Sequence, residues 1–262
     1  MKNKSPFVVF SAGAAVGTLG GLIGLGGAEF RLPLLIGVFG FSALPAIILN
    51  KAMSLAVVAA SLPFRASSVP FANVFNHWQI IVTLLAGSLL GAWFGAGWAT
   101  ELKSHTLYRV LALLLVAIAI ALVLGHNPSN PSALILSGTF LSIIGVVVGF
   151  WIGVVAALMG VAGGELLIPT IVLLFGADLK LAGSLSLAVS LPTMIVAFTR
   201  YSKDQSFSVI KAEMSFVITM VAGSLTGAYI GSRLLGIIPT TYLLPILAII
   251  LLVSAVKIWG HA

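Results

Sequence analysis

Apolar residues in this chain come in long blocks and do not alternate with polar ones. Residues 80–98, 107–124, 133–158 and 243–256 are nearly uncharged. Most of these blocks are long enough to span a hydrocarbon core of about 30 Å as helices. Continuous runs exclude a β-barrel, whose strands alternate apolar and polar positions. Between turn signals, five apolar elements occur and then recur: 7–24, 32–41, 44–64, 78–99 and 107–124, followed by 134–159, 166–175, 179–199, 215–235 and 242–259. The second element of each set has about ten residues, or about 15 Å of helix, half a membrane. The pattern predicts an all-α polytopic membrane bundle, a single membrane domain over 1–262, with broken or re-entrant short helices.

The two sets are copies. Gly24-Leu25-Gly26-Gly27-Ala28-Glu29-Phe30-Arg31-Leu32-Pro33 aligns with Gly160-Val161-Ala162-Gly163-Gly164-Glu165-Leu166-Leu167-Ile168-Pro169, and Ala86-Gly87-Ser88 aligns with Ala222-Gly223-Ser224, both at an offset of 136. Repeat one covers 7–124 and repeat two 133–259, joined by a turn-rich stretch without Lys or Arg. If the short element crosses the membrane, each copy has five crossings and the copies are inverted. If it turns back, each has four and they are parallel. Charge favours inversion: five crossings put Lys2, Lys4, Lys103, Arg109, Arg200, Lys203, Lys211 and Lys257 on one side, the cytoplasmic one. Both termini are cytoplasmic in either case, and 7–24 reads as a retained first helix, longer than the apolar stretch of a signal peptide.

Composition narrows the function. Only 7% of residues are charged, against about a quarter in soluble domains. The net charge of +7 comes from scattered residues, which points to topology and not to nucleic acid. There is no cysteine, so disulfides and thiolate metal sites are absent, and the four histidines are dispersed. No nucleotide-binding, nucleophile-elbow or zinc-protease motif occurs. Neither an enzyme nor a cofactor or metal is expected.

Of the six acids, only Glu29 and Glu165 fall within the apolar pattern, at matched positions. A carboxyl at membrane depth marks a pathway or a proton site, because a group shielded from water can take up and release a proton near neutral pH. The plainer role is capping a helix start, and the two are compatible. The glycines before them, Gly26 and Gly27 and their partners Gly163 and Gly164, suggest either unwound backbone over 24–31 and 160–167 or close helix packing. Unwound backbone with free N–H groups suits an anion.

Arg31 and Lys51 stand opposite Leu167 and Leu187 at the same offset, so positive charge enters one copy only. That asymmetry suits an oxyanion. Otherwise Arg31 pairs with Glu29 and Lys51 snorkels to an interface. Asn50, Ser54, Ser186 and Ser190 supply neutral hydrogen-bonding groups on the matched third elements. The candidate substrate site is therefore Arg31, Asn50, Lys51, Ser54, Ser186, Ser190 and the four glycines, with Glu29 and Glu165 as proton carriers.

The run Gly20, Gly21, Gly24, Gly26, Gly27, Pro33, its second form Gly160, Gly163, Gly164, Pro169, and the two Ala-Gly-Ser-x-x-Gly-Ala blocks resemble the sulfite exporter TauE/SafE family over almost the whole chain. Glu29 and Glu165 depart from the aliphatic or aromatic residues expected after those glycines. The resemblance implies a secondary transporter that exports small sulfur-containing anions such as sulfite or organosulfonates from bacterial cytoplasm. The remaining expectations are proton coupling, alternating access, a multi-pass inner-membrane location, and a monomer or homodimer in the lipid bilayer. A passive anion channel is the alternative.

Overall fold

The computed structural model describes residues 5–23, 27–66, 71–124, 138–234 and 240–260. Every regular element among them is helical. In chain order these are α1 (Pro6–Ile23), α2 (Ala28–Gly37), α3 (Ala43–Ala66), α4 (Phe71–Asn76), α5 (Trp78–Glu101), α6 (Ser104–Leu124), α7 (Thr139–Met159), α8 (Gly164–Phe175), α9 (Leu179–Tyr201), α10 (Val209–Ala212), α11 (Met214–Leu234) and α12 (Thr240–Trp259). A 3₁₀ turn, Gln205–Ser208, precedes α10. Among the described residues, five stretches are long and apolar enough to cross a membrane: Ala43–Ala60, Trp78–Glu101, Thr139–Met159, Leu181–Tyr201 and Met214–Gly231. Shorter apolar stretches lie in α1, α6 and α8. Large apolar side chains such as Phe7, Leu90, Phe140, Ile218 and Val253 face outward, as lipid contact requires.

The ten apolar elements are all present. The short second element starts earlier than the periodicity suggests, at Ala28 and not at 32, and ends at Gly37. Glu29 and Arg31 therefore lie in a helical first turn, and so does the backbone of Glu165 in α8. Unwound backbone shrinks to 160–163 in the second copy, and 24–26 fall outside the described residues. The cause is glycine at positive φ. Gly27 (φ 69°) and Gly163 (φ 83°) turn the chain and serve as N-caps, so helix resumes at the next residue. Proline at the sixth helical position explains why the pattern looked broken. Pro33 and Pro169 cannot donate to the carbonyls of Glu29 and Glu165, four residues back.

Two helix pairs are packed by glycine. On α1, a Cβ at Gly13 would overlap the Met220 carbonyl and one at Gly17 the Ser224 carbonyl; on α11, Gly223 and Gly227 meet the carbonyls of Phe10 and Ala14. On α7, Gly149 and Gly153 meet the carbonyls of Leu84 and Ser88; on α5, Gly87 and Gly91 meet those of Val146 and Phe150. Each contact in one pair has its counterpart in the other at an offset of 136 in both partners. Small residues let membrane helices approach to backbone contact. In both pairs the register advances together, so α1 and α11 run the same way, and so do α5 and α7.

Other contacts fix the remaining directions. α8 runs back along α7, with Gly163 beside Ala156 and Phe175 beside Gly145. α9 then runs with α5, because Ser88 hydrogen-bonds Thr193 and Gly97 lies against Arg200. Phe207 packs on Phe198, which keeps the next connection at the end of α9, so α11 starts there and runs opposite to α9. α2 starts beside Val16, and just beyond its end Phe39 and Phe41 pack on Phe216 at the start of α11. It therefore runs back along α1, and α3 follows α1 again. Arg109 near the start of α6 lies over Trp259 at the end of α12, so these two are antiparallel. Elements separated by 136 residues thus run in opposite directions throughout.

Candidate functional site

The best-defined polar assembly is the C-terminal end of α7. An α-helix leaves its last carbonyls without helical donors, and inside a membrane no water replaces them. Gly160, at φ 67°, closes the helix with N–H bonds to Ala156 and Ala157. A side chain there would strike the Ile47 carbonyl. Four side chains from α3 and α9 reach the carbonyls of this end, two of which, Ala156 and Ala157, also accept backbone N–H groups. The Lys51 ammonium donates to Ala156 O (2.9 Å) and Val161 O (2.6 Å). Asn50 Nδ2 donates to Met159 O (3.1 Å) and to Ala28 O (3.0 Å) at the start of α2. Ser54 Oγ reaches Gly160 O at 3.4 Å, and the Tyr201 hydroxyl donates to Ala157 O at 2.9 Å.

This cluster lies inside the bundle. Lys51, Asn50, Arg31 and Tyr201 are fully buried, and Glu29 and Ser54 nearly so. Ala157 is level with Gly95 of α5, six residues before that helix ends at Glu101, which is about 9 Å inside. On α3, Lys51 is the ninth residue of the 18-residue apolar stretch Ala43–Ala60.

Arg31 joins the cluster from α2. Its Nη1 donates to Ser54 Oγ at 3.4 Å, and Glu29 precedes it by two residues in the same turn of α2. Arg31, Ser54 and Gly160 therefore form a polar line across α2, α3 and the α7 break. Asn50, whose amide nitrogen is fully used, keeps a buried Oδ1 with no hydrogen-bond partner.

The matched region on α9 is neutral. Ser186 bonds back to its own helix at Gly183 O (2.9 Å). Ser190, counterpart of Ser54, is buried with an unpartnered hydroxyl. One turn on, Thr193 pairs with Ser88 of α5 at 2.8 Å. Gly163 and Gly164 are buried at the start of α8, beside α7. The Glu165 side chain is outside the described set, as is Gly26.

The structure thus brings Glu29, Arg31, Asn50, Lys51, Ser54 and Gly27 to the α7 end; Ser186 and Ser190 are buried on α9, and neither donates to the α7 carbonyls. Two features were missed in sequence. Tyr201, at the end of α9, was not singled out, and Ser88–Thr193 lay hidden in a glycine block and after a proline. Arg200 and Lys203, counted above only as topology charges, sit over the Trp93 ring at 5.6 and 4.9 Å.

Apolar helices around a buried, charged junction at helix breaks define a multi-pass membrane protein with an internal polar site. The sulfite exporter TauE/SafE family model matches residues 6–258. The chain belongs to that family, a family of membrane transporters for sulfur-containing anions. Comparison with curated proteins and with solved structures gives no match.

Proposed function

We propose that this chain exports a small sulfur-containing oxyanion, sulfite or an organosulfonate, by proton-coupled alternating access. The observation that carries the reading is Arg31: a fully buried guanidinium, in the first turn of a half-length helix and beside Glu29, bonded to Ser54 where α2, α3 and the end of α7 meet. A buried cation among helix breaks is costly without a task, and a guanidinium matches the planar oxygen pattern of sulfite or a sulfonate. The N-terminus of α2 adds partial positive charge beside it. Lys51 adds positive field, while its ammonium stays on backbone carbonyls.

Glu29 is the proton carrier in this reading, since its proton state sets the charge beside Arg31. Oppositely running elements at a constant offset, with identical glycine contacts, support an inverted duplication in which one half rocks against the other. Lys103, Arg109, Arg200, Lys203, Lys211 and Lys257 lie toward the face where α5 and α9 end, against Arg65, Lys180 and Arg233 toward the other. This excess supports reading the first face as cytoplasmic by the positive-inside rule, with both termini on that side of a bacterial inner membrane.

Flux of labelled sulfite, sulfonates and carboxylates in proteoliposomes with an imposed pH gradient tests this. A transporter accumulates its anion against a gradient, and Glu29→Gln loses accumulation. An anion channel equilibrates the anion only, and Glu29→Gln leaves that flux intact.

A further inference from the structure

We infer that the end of α7 is a monovalent-cation site whose occupant is built into the chain, the ammonium of Lys51. Five of the six carbonyls from Ala156 to Val161 receive a side-chain donor, and Lys51 takes two of them, one from the last helical turn and one beyond the glycine turn. Converging carbonyls at a helix C-terminus carry about half a negative charge. In a membrane interior that charge calls for a cation, and helix-end carbonyls at breaks in secondary transporters hold coupling ions such as sodium. Here the same geometry surrounds an ammonium that cannot leave.

Three features argue that the positive charge, and not the bulk of the side chain, is what the position needs. Lys51 is fully buried with its nitrogen on two carbonyls, so it does not snorkel to a headgroup. The neighbouring groups, Asn50, Ser54 and Tyr201, satisfy the single carbonyls between and beside those two, which shapes the cage around one small cation. The matched residue in the second copy is Leu187, so the lysine is not a packing requirement of the repeated element. A tethered cation occupies the cage in every turn of the cycle, which makes sodium dispensable as a coupling ion.

The test uses the full-length purified protein and its melting temperature. Lys51→Ala empties the cage and keeps Asn50, Ser54 and Tyr201. It is expected to melt about 10 °C below the wild type in choline chloride, and methylammonium or ammonium at about 100 mM recovers at least half of the loss. Sodium recovers part of it; tetramethylammonium, which has no donors and is too large, recovers none. The wild type is indifferent to all four. Lys51→Met, which restores bulk without charge, stays as low as Lys51→Ala. The inference is overturned if Lys51→Met melts like the wild type, if methylammonium and sodium fail to raise Lys51→Ala, or if neither variant folds when purified in methylammonium. The melting readout is independent of transport. A protein that carries no sulfur anion but shows the ammonium rescue keeps the cage and loses the proposed function; one that carries the anion without the rescue does the reverse.

Discussion

The two glycine-packed pairs and the polar junction between them obey different rules. In α1/α11 and α5/α7 the same glycines meet the same carbonyls at matched positions. At the junction the matched positions diverge: Arg31 against Leu167, Lys51 against Leu187, Asn50 against Ser186. Backbone-to-backbone packing leaves no room for change, since any side chain collides with main chain. The junction was free to acquire charge on one side. The glycine contacts recur and the chemistry does not, and in the proposed reading the residues that differ, Arg31 and Lys51, carry specificity.

This contrast can be broken at several points. The largest effects are expected in the packed pairs. Gly91→Val and Gly227→Val place a side chain on the carbonyls of Phe150 and Ala14. Because backbone cannot move aside, each costs more than the about 1–3 kcal/mol usual for overpacking. Both should abolish the monodisperse peak in size-exclusion chromatography to a similar degree; loss in one pair alone would show that the pairs are not equivalent. Next is Arg31→Leu, which installs the residue of the other copy. It should fold, and lower anion flux at least about 30-fold, as loss of a buried charge contact does.

Smaller effects separate the bonded cluster from its neutral counterpart. Tyr201→Phe removes one of two donors from Ala157 O, since the Gly160 N–H remains. It should cost about 1 kcal/mol, a melting shift of about 2–4 °C. Ser88→Ala and Ser224→Ala are a matched pair. Ser88 is bonded to Thr193, whereas Ser224 is buried without a partner. Ser88→Ala should lower the melting temperature slightly, and Ser224→Ala should leave it unchanged or raise it, because an unsatisfied buried hydroxyl costs free energy. Equal shifts would mean that the two sites do not differ.

Much of this architecture was legible in the sequence because membranes impose it. Apolar run length gave the helices, and the glycine clusters before Glu29 and Glu165 marked the breaks, whereas the glycines that pack α1 on α11 and α5 on α7 were seen only as part of the repeat. Helix starts at the breaks were less legible. Gly27 and Gly163 read as disruption, yet at positive φ they end one helix and cap the next, which moved Glu29 and Arg31 into a helical turn. Lys51 was visible as an expensive charge, but its acceptors are carbonyls more than a hundred residues away. Backbone carbonyls carry no sequence signal, so the cage could not be read from residue types. Tyr201 was missed for the same reason.

The central claim is that the junction at Arg31 receives the anion. The most direct measurement is the melting temperature of the purified wild type and of Arg31→Leu across a sulfite titration. Sulfite should raise the wild-type value in a saturable way and leave Arg31→Leu unmoved. A variant that folds and is stabilised by sulfite as strongly as the wild type would contradict the claim.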